Sequence, residues 1–344
     1  MSNFKFSAGP WNVNEGADAF GPDVRESISL EEKIKMFKKI GLDAVQFHDD
    51  DVVPTMNSLT NEEIIAEAKK VKTLLDENGL VAEFVAPRLW MDKHTHDGGF
   101  TSNNKSDREF SMWRAYRTID IAKTLGTNKI VLWLAREGTL CAESKDYKTG
   151  VDYLVEAINN MLSYDKDILI AIESKPNEPI DRSFLPTMGH VMALSNLTKE
   201  PKRVGGLLES AHAVLAGLDP ANEMAFAIMQ NKLFGVHLND QNGIRYDQDK
   251  AFGSENLRAS FNQVRVLMEN GYGKNGEFIG LDVKAMRTQA IDDCYRHLIN
   301  SKKIVEIMVD KVKSFDNDYK NKCIKEGNYE KLEMYVLESL LTSK

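Results

Sequence analysis

Seven side chains able to ligate a metal stand at or just past the ends of apolar runs: Glu173, Glu209, His212, His237, Asp247, Asp249 and Asp282. The densest group is the stretch from His237 to Asp249, which leaves the apolar run 233–238 and enters a polar loop. Asp247 and Asp249, two apart in extended chain, point the same way and can share a hard cation through oxygen. Alone, such a pair is more often a solvated turn. Its repetition at several strand ends is what points to a metal centre. Glu209 and His212 offer an oxygen and a nitrogen ligand three residues apart. Glu173 and Lys175 are two apart on one face, so a metal-binding carboxylate would bring an ammonium beside the same substrate atom. Counted out, Glu173, Glu209, His237 and Asp282 serve one ion, and Glu209, His212, Asp247 and Asp249 a second, with Glu209 bridging. Oxygen-rich sets with one or two imidazoles suit two divalent cations such as Mg²⁺, Mn²⁺ or Co²⁺. The count fits hydrolysis of a phosphate ester, isomerisation of a sugar, or a decayed barrel that only binds.

Two other positions belong with these. His48 leaves an apolar run and meets Asp49, Asp50 and Asp51, where a carboxylate can hold the imidazole in one tautomer so that it carries a proton. Trp133 ends another run, a position that is usually core and gains interest only from its neighbours.

The elements that must position these groups alternate. Apolar strands are expected at 4–9, 43–48, 80–87, 129–134, 168–173, 204–209, 233–238 and 277–282. Helices lie between them: Ser29 with Glu32, Thr60 with Glu63 and Ser106 with Glu109 read as capping boxes, and Gly41, Gly79 and Gly126 as helix ends. Eight strands separated by helices in about 280 residues predict an α/β fold, a (β/α)8 TIM barrel. A doubly wound sheet is the competitor, but no G-x-G-x-x-G follows the first strand. Residues 1–300 are assigned to the barrel and 301–344 to a short C-terminal helical extension, with 292–313 as the eighth barrel helix and 318–343 as the tail. The tail's Leu332, Met334, Tyr335, Leu337 and Leu340 are too many apolar groups for a solvated helix, and should lie on the barrel or on a neighbouring subunit.

Composition sets the outer limits. The 344 residues carry 44 basic against 52 acidic side chains, a net charge of −8, with no basic stripe to neutralise phosphates, so nucleic acid is an unexpected partner. A membrane is equally unexpected, because no run of about 18 apolar residues occurs and the first residues lack the apolar core of a signal peptide. Three widely spaced cysteines, Cys141, Cys294 and Cys323, suit reduced thiols in a cytoplasm.

Taken together, Phe-His-Asp-Asp-Asp at 47–51, Asp-Gly-Gly-Phe-Thr-Ser-Asn at 97–103, Arg-Glu-Gly at 136–138, Lys-Pro-Asn-Glu-Pro at 175–179, Tyr-Asp-Gln-Asp at 246–249 and Arg-Thr at 287–288 resemble the motifs of the xylose isomerase family, in its order. The resemblance spans roughly residues 4–300 and implies a metal-dependent aldose–ketose isomerase acting on a small-molecule sugar. It implies that His48, supported by Asp51, assists ring opening, that Lys175 polarises the carbonyl oxygen, and that two cations hold the open chain while a hydride moves between C1 and C2. Trp11, Trp133 and Phe100 would form the apolar wall, with Phe100 reaching in from a partner subunit. That sharing, on a loop tip where an exposed ring would be costly, implies a homodimer, with a homotetramer also open.

The departures are specific. His237 stands where the family has an aspartate, as in the related rhamnose isomerases and tagatose epimerases, and leaves the site about one charge more positive. Arg88 falls where the family has a Thr-Asn pair; it could bind a substrate carboxylate or phosphate, or pair with a nearby acid. Three readings therefore stand: an aldose–ketose isomerase, an epimerase or lyase acting on another sugar or sugar conjugate, and a sugar-binding barrel without catalysis.

Overall fold

A computed structural model describes residues 4–244 and 246–342. Eight strands close into a parallel barrel: β1 (Lys5–Ala8), β2 (Ala44–His48), β3 (Val81–Ala86), β4 (Lys129–Trp133), β5 (Leu169–Glu173), β6 (Val204–Glu209), β7 (Leu233–His237) and β8 (Phe278–Leu281). Each pairs with its sequence neighbours, and β1 pairs with both β2 and β8, which closes the ring. All eight expected strands form, to within a residue or two at their ends. The reason is their composition: they are short and rich in Val, Ile, Leu and Phe, so both faces can be buried, one inside the barrel and one under the helices.

Eight helices cover the outside: α1 (Leu30–Lys39), α2 (Asn61–Glu77), α3 (Lys105–Leu125), α4 (Tyr147–Tyr164), α5 (Met188–Leu197), α6 (Pro220–Met229), α7 (Leu257–Glu269) and α8 (Arg296–Ser314). The Ser29–Glu32 and Thr60–Glu63 capping boxes are both made. The third is not. α3 is capped by Asn104, whose side-chain oxygen accepts from the backbone N–H of Ser106 at 3.0 Å, so Ser106 lies inside the first turn rather than before it. An Asn at the N-cap satisfies the same orphan donors as a Ser would, two residues earlier. Gly126 ends α3 in the left-handed conformation, φ 86°, that only glycine adopts without strain.

The C-terminal extension is two helices rather than one, α9 (Asn317–Lys325) and α10 (Tyr329–Leu341), separated at Gly327, φ 65°. The division expected at residue 300 falls inside α8, the helix that closes the barrel, so the extension begins only after Ser314. The expected tail end at Ser343 lies outside the described residues. α10 lies against the barrel: Tyr335 packs on Phe315 and Tyr319, with ring centroids 5.1 and 4.8 Å away, and Arg258 of α7 pairs with Glu333 at 2.6 Å. Leu332 and Leu340 are half-buried, while Met334 and Leu337 remain exposed. No described helix is long and apolar enough to cross a membrane.

Candidate active site at the carboxyl ends of the strands

The predicted ligands converge on one opening. A pocket of about 400 Å³ is lined by Trp11, His48, Arg88, Trp133, Glu173, Lys175, Glu209, His212, His237, Asp247, Asp249 and Asp282, together with Trp90, Arg136, Glu178 and Lys284 among others. Each arrives from the end of a strand or the loop beyond it, because residues that alternate along a barrel strand give way to exposed chain only at its end.

Two groups within it could hold a cation. Glu173, Glu209, His237 and Asp282 each offer one ligand atom, all within 4.8 Å of one another, and Glu209, His212 and Asp247 form a second such group. Around His237 Nδ1 stand Glu209 Oε2 at 3.5 Å, Asp282 Oδ2 at 3.6 Å and Glu173 Oε2 at 3.7 Å. Those distances are too long for hydrogen bonds, and both ring nitrogens of this buried histidine lack a partner among the described residues. Burial, and then the Glu209 carboxylate beside it, push Glu173 well above the usual carboxylate range. Burial and Glu209 likewise raise Asp282. Burial opposes charge on Glu209 too, but the neighbouring His212 pulls it down to about 2. Burial opposes charge on His237, yet the surrounding carboxylates outweigh it and raise its pKa. Crowded carboxyls, two of which resist ionisation, around an imidazole with no partner among the described residues are what a divalent cation would relieve. The cluster is compatible with such an ion.

Asp249 is brought to the opening but stands apart from the second group. Its carboxylate is engaged by Lys284, and burial followed by the charge of Asp247 raises its pKa well above the usual range. Asp247 accepts from Lys175 Nζ at 2.8 Å and lies 2.9 Å from His212 Nε2. Burial resists ionisation of Asp247, but His212 and Lys175 hold it well below the usual value. Asn239 is an organiser that the sequence reading left without a role. Its amide donates to Glu209 at 2.9 Å, to Asp249 at 3.2 Å and to the Asp282 carbonyl at 2.9 Å, tying three strand ends together. It stands two residues after His237, just past the end of β7, and that spacing was the available signal.

On the β2 side, His48 Nδ1 accepts from Arg88 Nη2 at 2.8 Å and lies 3.3 Å from Asp51 Oδ2, which accepts from the His48 backbone N–H at 2.8 Å. Burial works against the Asp51 charge, but His48 and Arg88 keep its pKa below the ordinary value. The Trp11 and Trp90 rings flank the imidazole at 4.3 and 5.2 Å. Arg88 takes the pairing that its position allowed, with Asp50 at 2.7 Å, while still facing the pocket. Lys175 Nζ lies 5.1 Å from the Trp133 ring centre.

Phe100 is the exception. Its ring is 2% exposed within its own chain and is absent from the pocket lining, because the Glu137 carboxylate accepts from the backbone N–H groups of Gly99, Phe100 and Thr101 at 2.8–2.9 Å and folds the loop back. The premise of an exposed ring seeking a partner subunit is therefore corrected. Burial inside one chain already covers the phenyl group.

An eight-stranded barrel with carboxylates and imidazoles gathered at the carboxyl ends of its strands defines a class, TIM barrels whose central cluster suits a divalent cation. The chain belongs to the xylose isomerase-like TIM barrel family, whose profile matches residues 34–285. Among solved structures it is similar to a D-tagatose 3-epimerase-like protein (18% identity, 90% of this chain and 99% of that chain covered, TM-score 0.65). It is also similar to a D-psicose 3-epimerase from Clostridium cellulolyticum H10 (11% identity, 88% and 98% covered, TM-score 0.62). A third likeness is to a 3-keto-D-glucoside 4-epimerase from E. coli (13% identity, 89% and 99% covered, TM-score 0.60). At these identities the likeness is one of fold.

Proposed function

We propose that this chain is a metal-dependent aldose–ketose sugar isomerase. The observation that carries the reading is the four-ligand group Glu173, Glu209, His237 and Asp282, with Lys175 Nζ at the same opening. A divalent ion held there would supply Lewis-acid polarisation of neighbouring sugar oxygens. The chain's own residues do the rest. Lys175 presents an ammonium to the carbonyl oxygen, and burial of its stem keeps that donor aimed. Its pKa is raised: burial opposes the charge, but Asp247 outweighs it, so the donor stays protonated near neutral pH. His48, oriented by Arg88 at Nδ1 and supported by Asp51, moves a proton at the ring oxygen. Trp11, Trp90 and Trp133 cover the apolar faces of the sugar and exclude water. Homo-oligomers remain part of the proposal only through family resemblance, since Phe100 no longer requires one.

A second reading, epimerisation of a ketose, is favoured by His237 in the ligand set and by the three epimerases named above. One experiment separates the two. The purified protein is incubated in D₂O with aldoses and ketoses and each of Mg²⁺, Mn²⁺ and Co²⁺, and the products are read by NMR. Isomerisation by hydride shift yields an aldose–ketose pair without solvent deuterium, whereas epimerisation through proton exchange carries deuterium into the inverted carbon. No interconversion of any sugar with any of the three ions would sink both readings.

A further inference from the structure

We infer that the pocket mouth holds a subsite for an anionic oxygen group, a carboxylate or a phosphate, at the end of the substrate away from the reacting carbons, with Arg136 as its receptor and Arg88 beside it. The inference rests on the sugar-transforming reading above and adds the substrate class, a sugar acid or sugar phosphate. Four cationic side chains line the opening, and three already have carboxylates: Arg88 pairs with Asp50 at 2.7 Å, Lys175 with Asp247 at 2.8 Å, and Lys284 with Asp249. Arg136 has none within ion-pair distance among the described residues. Its one hydrogen bond there runs from Nε to the Trp90 carbonyl at 2.9 Å, which orients the guanidinium and leaves both Nη groups unused. Fastening a loop carbonyl needs a donor but no charge, so that bond does not account for a guanidinium. What the free edge offers is a planar fork matched to two oxygens of one carboxylate or phosphate.

Its placement fits a substrate read at both ends. Arg88 follows β3 and Arg136 follows β4, and both touch Trp90: its ring lies 5.3 Å from the Arg88 guanidinium, its carbonyl accepts from Arg136, and its ring meets Trp133 edge-on at 4.4 Å. The ligand cluster comes from the ends of β5 to β8, across the same opening. A sugar lying over Trp133 with its reacting carbons at Lys175 would thus extend toward the two arginines.

Three of the four tryptophans line this pocket, so intrinsic fluorescence can report binding without turnover. The protein, with and without Mn²⁺, is titrated with glucose, glucuronate and glucose 6-phosphate, and with fructose and fructose 6-phosphate. At least one anionic sugar should bind about tenfold or more tighter than its neutral parent, and the uronate and phosphate arms tell which group is preferred. Arg136→Gln should bring that sugar down to the affinity of the parent, and Arg136→Lys, which keeps the charge without the fork and guards against misfolding of the first variant, should fall between. Equal affinity for neutral and anionic sugars overturns this inference and leaves the isomerase reading standing. A preference that persists in Arg136→Gln overturns the assignment to Arg136. If no sugar of any charge perturbs the fluorescence, the sugar reading fails and takes this inference with it.

Discussion

At the scale of single residues, the site is a problem in charge placement. Lys175 is held against Asp247 at 2.8 Å, and its charge is useful only beside an oxygen that gains negative character during reaction. Lys175→Met should therefore lower kcat by roughly 10²–10³ while changing KM much less; steady-state kinetics with near-normal kcat would reject the role. A subtler dependence runs through Gly280. A Cβ there would stand 2.4 Å from Gln46 Nε2, 2.5 Å from the Val236 carbonyl and 2.8 Å from His237 Cδ2. Gln46 and His237 are both buried inside the barrel, so neither can swing away into solvent. Gly280→Ala should tilt the imidazole and weaken Mn²⁺ binding by roughly 10–100-fold, the usual cost of disturbing what orients a ligand, and His237→Ala should weaken it at least as much. Calorimetric titration with Mn²⁺ checks both, and unchanged affinity in His237→Ala would show that the ligand set is wrong.

At the scale of elements, a single carboxylate fastens the His48 segment to the rest. Asp49, fully buried, opens the short helical turn Asp49–Val52 and accepts from Arg114 of α3 through two bonds of 2.6 and 2.7 Å, from Thr118 at 3.1 Å and from the Arg88 backbone at 3.2 Å. Removing one member leaves a charge buried without its partner, so Arg114→Leu should cost about 3–5 kcal/mol. Asp50→Ala, at a half-buried and partly solvated position, should cost much less. Urea midpoints for the two variants test this, and similar values would contradict it. The same segment shows what could be read from sequence and what could not. Apolar β-branched runs bounded by caps and glycines made all eight strands legible, and alternation along them placed the ligands at the strand ends. The fate of Phe100 was not legible, because it depends on Glu137 reaching back to three amides, a long-range contact with no local signature. The partners of Arg88 and the roles of Arg136 and Asn239 were hidden for the same reason: each is settled by which neighbouring loop supplies an acceptor. The Asn104 cap was missed by two residues because Asn, Ser and Asp compete on nearly equal terms for that position.

At the scale of the whole molecule, closing a barrel requires the first and last units to recognise each other across some 270 residues of chain. Beyond the pairing of β1 with β8, that joint is fastened by Asn12 and His297. Asn12, just after β1, accepts from the Val283 N–H at 2.6 Å and donates to the Gly9 carbonyl at 3.0 Å, while its own carbonyl accepts from His297 Nε2 of α8 at 2.8 Å. The imidazole is buried, and burial is the main reason its pKa falls from the ordinary 6.5 to about 4, with the Arg25 charge acting in the same direction and the bond to Asn12 opposing. In the unfolded chain the same group takes up a proton near pH 6.5. Between those two values the unfolded state binds more protons than the folded one, so stability contributed at this joint is present at pH 7 and is lost as the pH falls from about 6.5 toward about 4. The loss should reach about 2 kcal/mol by pH 5. His297→Gln keeps a donor for the Asn12 carbonyl but cannot titrate, so its stability should depend less steeply on pH over that window, and the gap between wild type and variant should narrow on acidification. Urea denaturation of both proteins at pH 7, 6 and 5 measures the gap directly; parallel pH profiles would mean that His297 does not couple barrel closure to protonation.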